Sequence, residues 1–89
     1  MPTISMFYGV LVQMFFRDNV QHSTPHLHAA FQGEIGVYSI PDGTLLAGSL
    51  PKSKEKLVRA WIEIHKEELI ANWSLAVNGE KIFKIKGLE

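Results

Sequence analysis

Cysteine is absent from the 89 residues, which removes disulfides, thiolate metal sites and cysteine nucleophiles together. An excess of either charge is missing too: nine basic side chains balance nine acidic ones, for a formal net charge of zero. A chain-wide electrostatic pull toward nucleic acid or anionic lipid is therefore not predicted. Long apolar runs are equally scarce. Ile4 to Phe16 comes nearest, but Ser5, Gly9 and Gln13 interrupt it, and it falls short of the roughly 20 residues that a bilayer-spanning helix needs. No basic segment precedes it, so neither a targeting signal nor a membrane anchor is expected. Lack of cysteine suits a reducing cytoplasm, where the protein is expected. Repeats, linkers and low-complexity stretches are also missing, and residues 1–89 read as a single domain.

What is present is an apolar share of 46% against 20% charged, the balance of a globular domain. The first half carries strand signals. Ile4, Met6, Tyr8, Val10, Val12, Met14 and Phe16 occupy alternate positions, which reads as one long strand with a buried face, broken or bulged at Gly9. A polar loop from Asp18 to Pro25 follows. His26 to Phe31 reads as a second strand, Gln32-Gly33 as a turn, and Glu34 to Ile40 as a third. Pro41-Asp42-Gly43 is a strong turn signal, since proline presets φ and glycine accepts positive φ. Thr44 to Leu46 would return as a fourth.

Near Pro51 the period changes from two to 3.6. Leu57, Val58, Trp61, Ile62, His65, Leu69, Asn72, Trp73 and Ala76 recur at steps of three and four, forming one helical stripe. Pro51 suits a first turn, Ser53 is a candidate cap, and Gly79 a stop. A bend near His65 to Glu68 would shorten an otherwise long helix. Trp61 and Trp73 read as core anchors, His65 as a half-buried core residue, and Lys81, Lys84 and Lys86 as a solvated face. Lys81 to Lys86 reads as a short edge strand or an ordered extension. The fold class is α+β: an antiparallel sheet of three to four strands from the N-terminal half, covered by one long or bent helix, or two helices, from the C-terminal half.

The residues with most chemical content are His22, His26 and His28, three of the four histidines, beside Arg17 and Asp18. On a strand, His26 and His28 share one face while Leu27, Ala29 and Phe31 share the other. The core would take the apolar set, so both imidazoles are expected to point away from it. Neither is then needed for packing, and replacing both with glutamine should leave stability within about 1 kcal/mol. Three uses of the cluster are open. Asp18, His22, His26 and His28 could contact a protein partner. The same four residues are candidate ligands for a divalent metal such as zinc, although no cofactor is predicted outright. His26, His28 and Arg17, with Lys52 as a second candidate cation, could serve as acid, base and phosphate stabiliser in RNA cleavage. No basic patch interleaved with aromatics accompanies them, so RNA is only weakly indicated.

Met1-Pro2-Thr3-Ile4-Ser5, Phe7-Tyr8-Gly9, Pro25-His26-Leu27-His28, Gly43-Thr44-Leu45-Leu46, Leu50-Pro51, Leu57-Val58, Trp61, His65 to Leu69 and Asn72-Trp73 together resemble the domain of unknown function 4160, a family of small bacterial proteins. The resemblance covers essentially the whole chain. Members usually carry a Pro-Pro-His-Phe-His run preceded by an Asp-His pair. Here Thr24 to His28 and Asp18-Asn19 stand at those places, and His22, in a longer loop, is the candidate substitute for the missing histidine. The resemblance implies no established activity. It implies a neighbouring gene for a second small protein, a domain of unknown function 2442, in an arrangement like a toxin–antitoxin pair. The expected role is therefore partner binding in such a module, with a histidine-dependent ribonuclease toxin and a divalent-metal-binding protein as alternatives.

Overall fold

The computed structural model describes residues 3–15 and 24–88. Arg17, Asp18 and His22 lie outside the described residues, and so does the proposed loop contact they would make. Among the described residues, five strands form one antiparallel sheet in the order β1-β2-β3-β4-β5: β1 (Thr3–Phe7), β2 (Val10–Gln13), β3 (His26–Phe31), β4 (Glu34–Ser39) and β5 (Leu45–Gly48). Two helices follow, α1 (Lys52–Ile64) and α2 (Lys66–Val77). Among the described residues no helix is long and apolar enough to cross a membrane.

The expected three to four strands become five because the N-terminal run folds back on itself. Tyr8 and Gly9 both have positive φ, 48° and 79°, and Phe7 pairs with Val10 across them. Two successive positive-φ residues between antiparallel strands make the tight hairpin turn whose twist matches that of the sheet. Gln32 (φ 46°) and Gly33 (φ 87°) repeat the device between Phe31 and Glu34. Strand alternation cannot run through such a turn, and a register shift between Thr3 and Ser5 displaces it again. Ile4, Phe7, Val10, Val12 and Met14 are therefore buried, while Met6 is 65% exposed and Tyr8 47%. The two exposed residues correct the expectation that all alternate positions from Ile4 to Phe16 share a buried face.

Register sorts the sheet into two faces. Phe7 pairs with Val10, Val12 with Ala29, Ala29 with Gly36 and Leu27 with Tyr38. All of these are buried. Tyr38 packs its ring across Gly36, where a β-carbon would lie 2.7 Å from Cε2 of that ring. Helix α1 covers this inner face: Trp61 packs on Phe7 with ring centroids 5.3 Å apart, and the Tyr38 hydroxyl donates to Glu55 Oε2 at 3.1 Å. Lys54 closes the hairpin end, donating to the Tyr8 carbonyl at 3.2 Å with its ammonium 4.9 Å from the centre of the Phe31 ring.

The helical stripe is as read, Val58, Trp61, Ile62, Leu69, Asn72, Trp73 and Ala76 being buried. His65 leaves helical geometry at φ −111°, ψ 22°, so the bend makes two helices. Ser53 lies inside the first turn and is not the cap. Pro51 holds that place, its carbonyl accepting the Lys54 and Glu55 amides at 2.9 Å each. Gly79 (φ 72°) ends α2, and the next amide, Glu80, returns to the Leu75 carbonyl at 2.8 Å.

After α2 the chain is an ordered extension rather than an edge strand. Asn72, fully buried, clamps it by donating to the Phe83 carbonyl at 2.7 Å and accepting the Phe83 amide at 3.1 Å. Trp61 Nε1 donates to the Lys86 carbonyl at 2.8 Å, and the Ile85 amide donates to the Ile4 carbonyl at 2.7 Å. The extension thus runs along the outer edge of β1.

Burial pushes the Tyr38 hydroxyl well above its ordinary value of 10, and the Glu55 carboxylate beside it adds to the effect. A raised folded-state value means that stability is fully present below pH 10 and is lost as pH rises beyond it, because the unfolded chain ionises first. The loss approaches about 1.4 kcal/mol per pH unit for one such group. Tyr38→Phe removes this titration, so the stability gap between parent and variant should narrow from pH 8 to pH 11 in guanidinium melts. A gap constant across that range would contradict the burial of an un-ionised phenol.

Candidate functional site

The opposite face of the sheet is built from the positions between the core residues. Cross-strand pairing aligns Met6, Leu11, Ala30 and Ile35 in one row, and Gln13, His28, Val37 and Ala47 in the next. Neither row contains an acidic residue, a lysine or an arginine. Exposure is graded along the strands. At the hairpin end Met6 is 65% and Ile35 55% exposed. At the other end His26 is 1% and Ser39, its partner across the ladder, 4% exposed.

The histidines stand at that closed end. His26 opens β3 in the same alternation as His28, off the Leu27 and Ala29 face, as expected. It is nonetheless buried, which corrects the expectation that it is dispensable for packing. Its ring stacks on Trp73 of α2 with centroids 4.9 Å apart, and its Nδ1 donates to the Thr24 carbonyl at 2.7 Å. A carbonyl can only accept, so Nδ1 carries the proton and the lone pair of the neutral ring sits on Nε2. His28 lies next along the face, half-buried, with its ring 5.5 Å from that of His26 and edge-on to Phe15 at 4.6 Å. The structure therefore brings His26 and His28 together. It adds three groups that sequence reading did not assign to the cluster: the Thr24 carbonyl, Phe15 and Trp73.

Phe15 was within reach of the sequence, because it continues the alternation of Leu11 and Gln13. Trp73 was not, since α2 meets the sheet only through tertiary packing. Chemically, a carbonyl-clamped histidine with Nε2 as acceptor is the arrangement found behind many metal-ligating imidazoles. Among the described residues, however, no group of three or more His, Asp or Glu side chains is placed to hold a metal ion. Lys52, the candidate cation, is the first residue of α1. His65, the fourth histidine, belongs to a separate place at the helix junction, where its Nδ1 donates to Glu68 and its ring stands 5.4 Å from that of Trp61.

His26→Gln should cost about 1–3 kcal/mol, the range for disturbing a buried hydrogen-bonded group, whereas His28→Gln should stay within about 1 kcal/mol. Urea midpoints of the two single variants measure both. Equal costs would show that the Trp73 stack and the Thr24 bond contribute nothing to stability.

A family model described as "Domain of unknown function (DUF4160)" matches residues 9–74, from the first hairpin turn through most of α2. No curated protein and no solved structure matches the chain. The matched stretch contains His26, His28 and Trp73, and every member of the two outer rows except Met6. With the family model spanning most of its length, this chain belongs to the domain of unknown function 4160 family.

Proposed function

We propose that this protein is a partner-binding module, working with the small protein encoded beside it in a two-gene unit of the toxin–antitoxin type. One observation carries the reading: among the described residues, a sheet face whose two apolar-rich rows include no acidic, lysine or arginine side chain stays open at its hairpin end. Met6 and Ile35, more than half exposed, would otherwise leave apolar surface in water. Interface cores are depleted of charge and enriched in methionine and aromatic residues, which matches the rows Met6 to Ile35 and Gln13 to Ala47, with Phe15 at their edge. The partner would cover this face, with half-buried His28 at its margin. Asp18 and His22 remain proposed contacts from the adjoining segment, and the cytoplasm the proposed compartment.

Of the two alternatives, the metal reading has one observation in its favour, the Thr24 carbonyl that directs the His26 lone pair to Nε2. It would need further ligands, for which Asp18 and His22 remain the candidates. Ribonuclease chemistry by His26, His28 and Arg17 has less support, because a ring that is 1% exposed is poorly placed to meet a ribose hydroxyl.

The test is capture of the neighbouring gene product by purified protein. Ile35→Lys alters an exposed outer-row side chain, so the thermal midpoint should hold while capture falls at least tenfold. Undiminished capture by a folded Ile35→Lys variant would place the partner elsewhere.

A further inference from the structure

The two edges of the sheet are treated differently. At β1 the C-terminal extension lies alongside: the Ile85 amide bonds the Ile4 carbonyl at 2.7 Å, and a β-carbon on Gly87 would come within 2.9 Å of the Met6 carbonyl. At β5 the last neighbour in the sheet order is β4, and all four residues Leu45–Gly48 are exposed. Unpaired edge strands invite pairing with another chain, and proteins ordinarily blunt them with charge, proline or cover. From Gly43 to Leu50 there is no charged residue and no proline.

The flanks of this stretch carry the information about what pairs with it. Asp42 precedes it and Lys52 follows it, each five residues from Ala47. If two copies pair antiparallel about a two-fold axis through Ala47, positions within the strand that meet across the axis sum to 94, so that Leu46 meets Gly48. The Asp42 flank of each copy then lies at the same end of the contact as the Lys52 flank of the other, so both ends bring opposite charges to the same side, and the uncharged middle brings together none. A two-fold contact of this kind is self-complementary by construction. It also joins the outer rows, since Ala47 is the β5 member of the row containing Val37 and His28. Beside the axis, Leu45 (40%) and Leu46 (45%) are exposed apolar side chains that such a contact would cover.

We infer that β5 is a homodimer edge: two copies of the chain pair antiparallel through Leu46–Gly48, centred on Ala47, into a continuous ten-stranded sheet. The contact is short, because Gly48 (φ 67°) ends the strand and a β-carbon there would collide with the Ile35 carbonyl at 2.0 Å. A three-residue ladder belongs among small interfaces, below about 1,200 Å² in total, which are characteristically weak. The dimer should therefore depend on concentration. This inference does not rest on the partner reading, which concerns the face of the sheet, whereas this contact concerns its edge.

Sedimentation velocity on the full chain, from micromolar to near-millimolar concentration, tests it. The mass should rise from 10.0 kDa toward twice that value. Ala47→Lys and Ala47→Glu each set like charges face to face across the axis, and each should weaken self-association at least tenfold, with circular dichroism melts reporting whether the variants fold. An equimolar mixture of the two should restore association, because lysine then meets glutamate. A parent that stays monomeric throughout, variants that fold and still dimerise, or a mixture that stays monomeric would each overturn the assignment. If neither Ala47 variant folds, Leu46→Lys replaces them, and undiminished association by that variant would overturn it equally. Capture of the neighbouring gene product by a strictly monomeric parent would leave the partner reading standing and remove this one.

Discussion

The tight turn at Tyr8-Gly9 sets the phase on which the rest of the molecule depends. Two residues with positive φ reverse the chain in the smallest space available, and Phe7 and Val10 meet across them on the inner face. From that pairing the inner set follows strand by strand through Val12, Ala29, Leu27 and Tyr38. Shifting the register by a single residue would exchange the two faces completely. It would send Met6, Leu11 and Ile35 toward the helices and leave Phe7 in water. Gly9 is suited to its place twice over: it accepts φ 79° at no steric cost, and the space beside its α-carbon is taken by the Phe31 ring, 3.2 Å from where a β-carbon would sit.

That turn also explains where sequence reading stopped. The helical half was legible because its stripe is carried by large apolar residues at regular spacing, and the weak point at His65 stood out against them. Strand β3 and its turn at Gln32-Gly33 were legible from alternation and glycine. The first hairpin was not, because Tyr-Gly is a weak turn signal compared with Asn-Gly. The residues on both sides of it happen to continue one alternation, Met6-Tyr8-Val10. A pattern of period two has no mark for a turn that consumes two residues, so one long strand and two short ones look alike. The count of three to four strands came from that ambiguity, as did the misplacement of Met6 and Tyr8.

The candidate site was legible in its composition and not in its environment. Alternation correctly put His26 and His28 on the face away from Leu27 and Ala29. Burial depends on what covers a face, and the Trp73 ring that covers His26 arrives from 47 positions along the chain. The two histidines consequently do different things. His26 is a packed, hydrogen-bonded residue that ties β3 to α2 and to Thr24, while His28 stands where the closed end of the face gives way to the open rows. Those rows, rather than the histidines alone, give the face its chemistry: apolar and amide side chains, no acidic, lysine or arginine residue among the described row members, and an edge at β5 that continues them.

The central claim is that the open sheet face is a docking surface. Methyl-resolved NMR of the labelled protein, titrated with the purified neighbouring gene product, addresses it directly. The account predicts that Met6, Leu11, Ala30, Ile35 and Val37 shift or broaden on complex formation, while Ala60 and Ile64, exposed on α1, stay in place. Perturbation confined to the helices, with those five methyl-bearing residues unmoved in a formed complex, would contradict it.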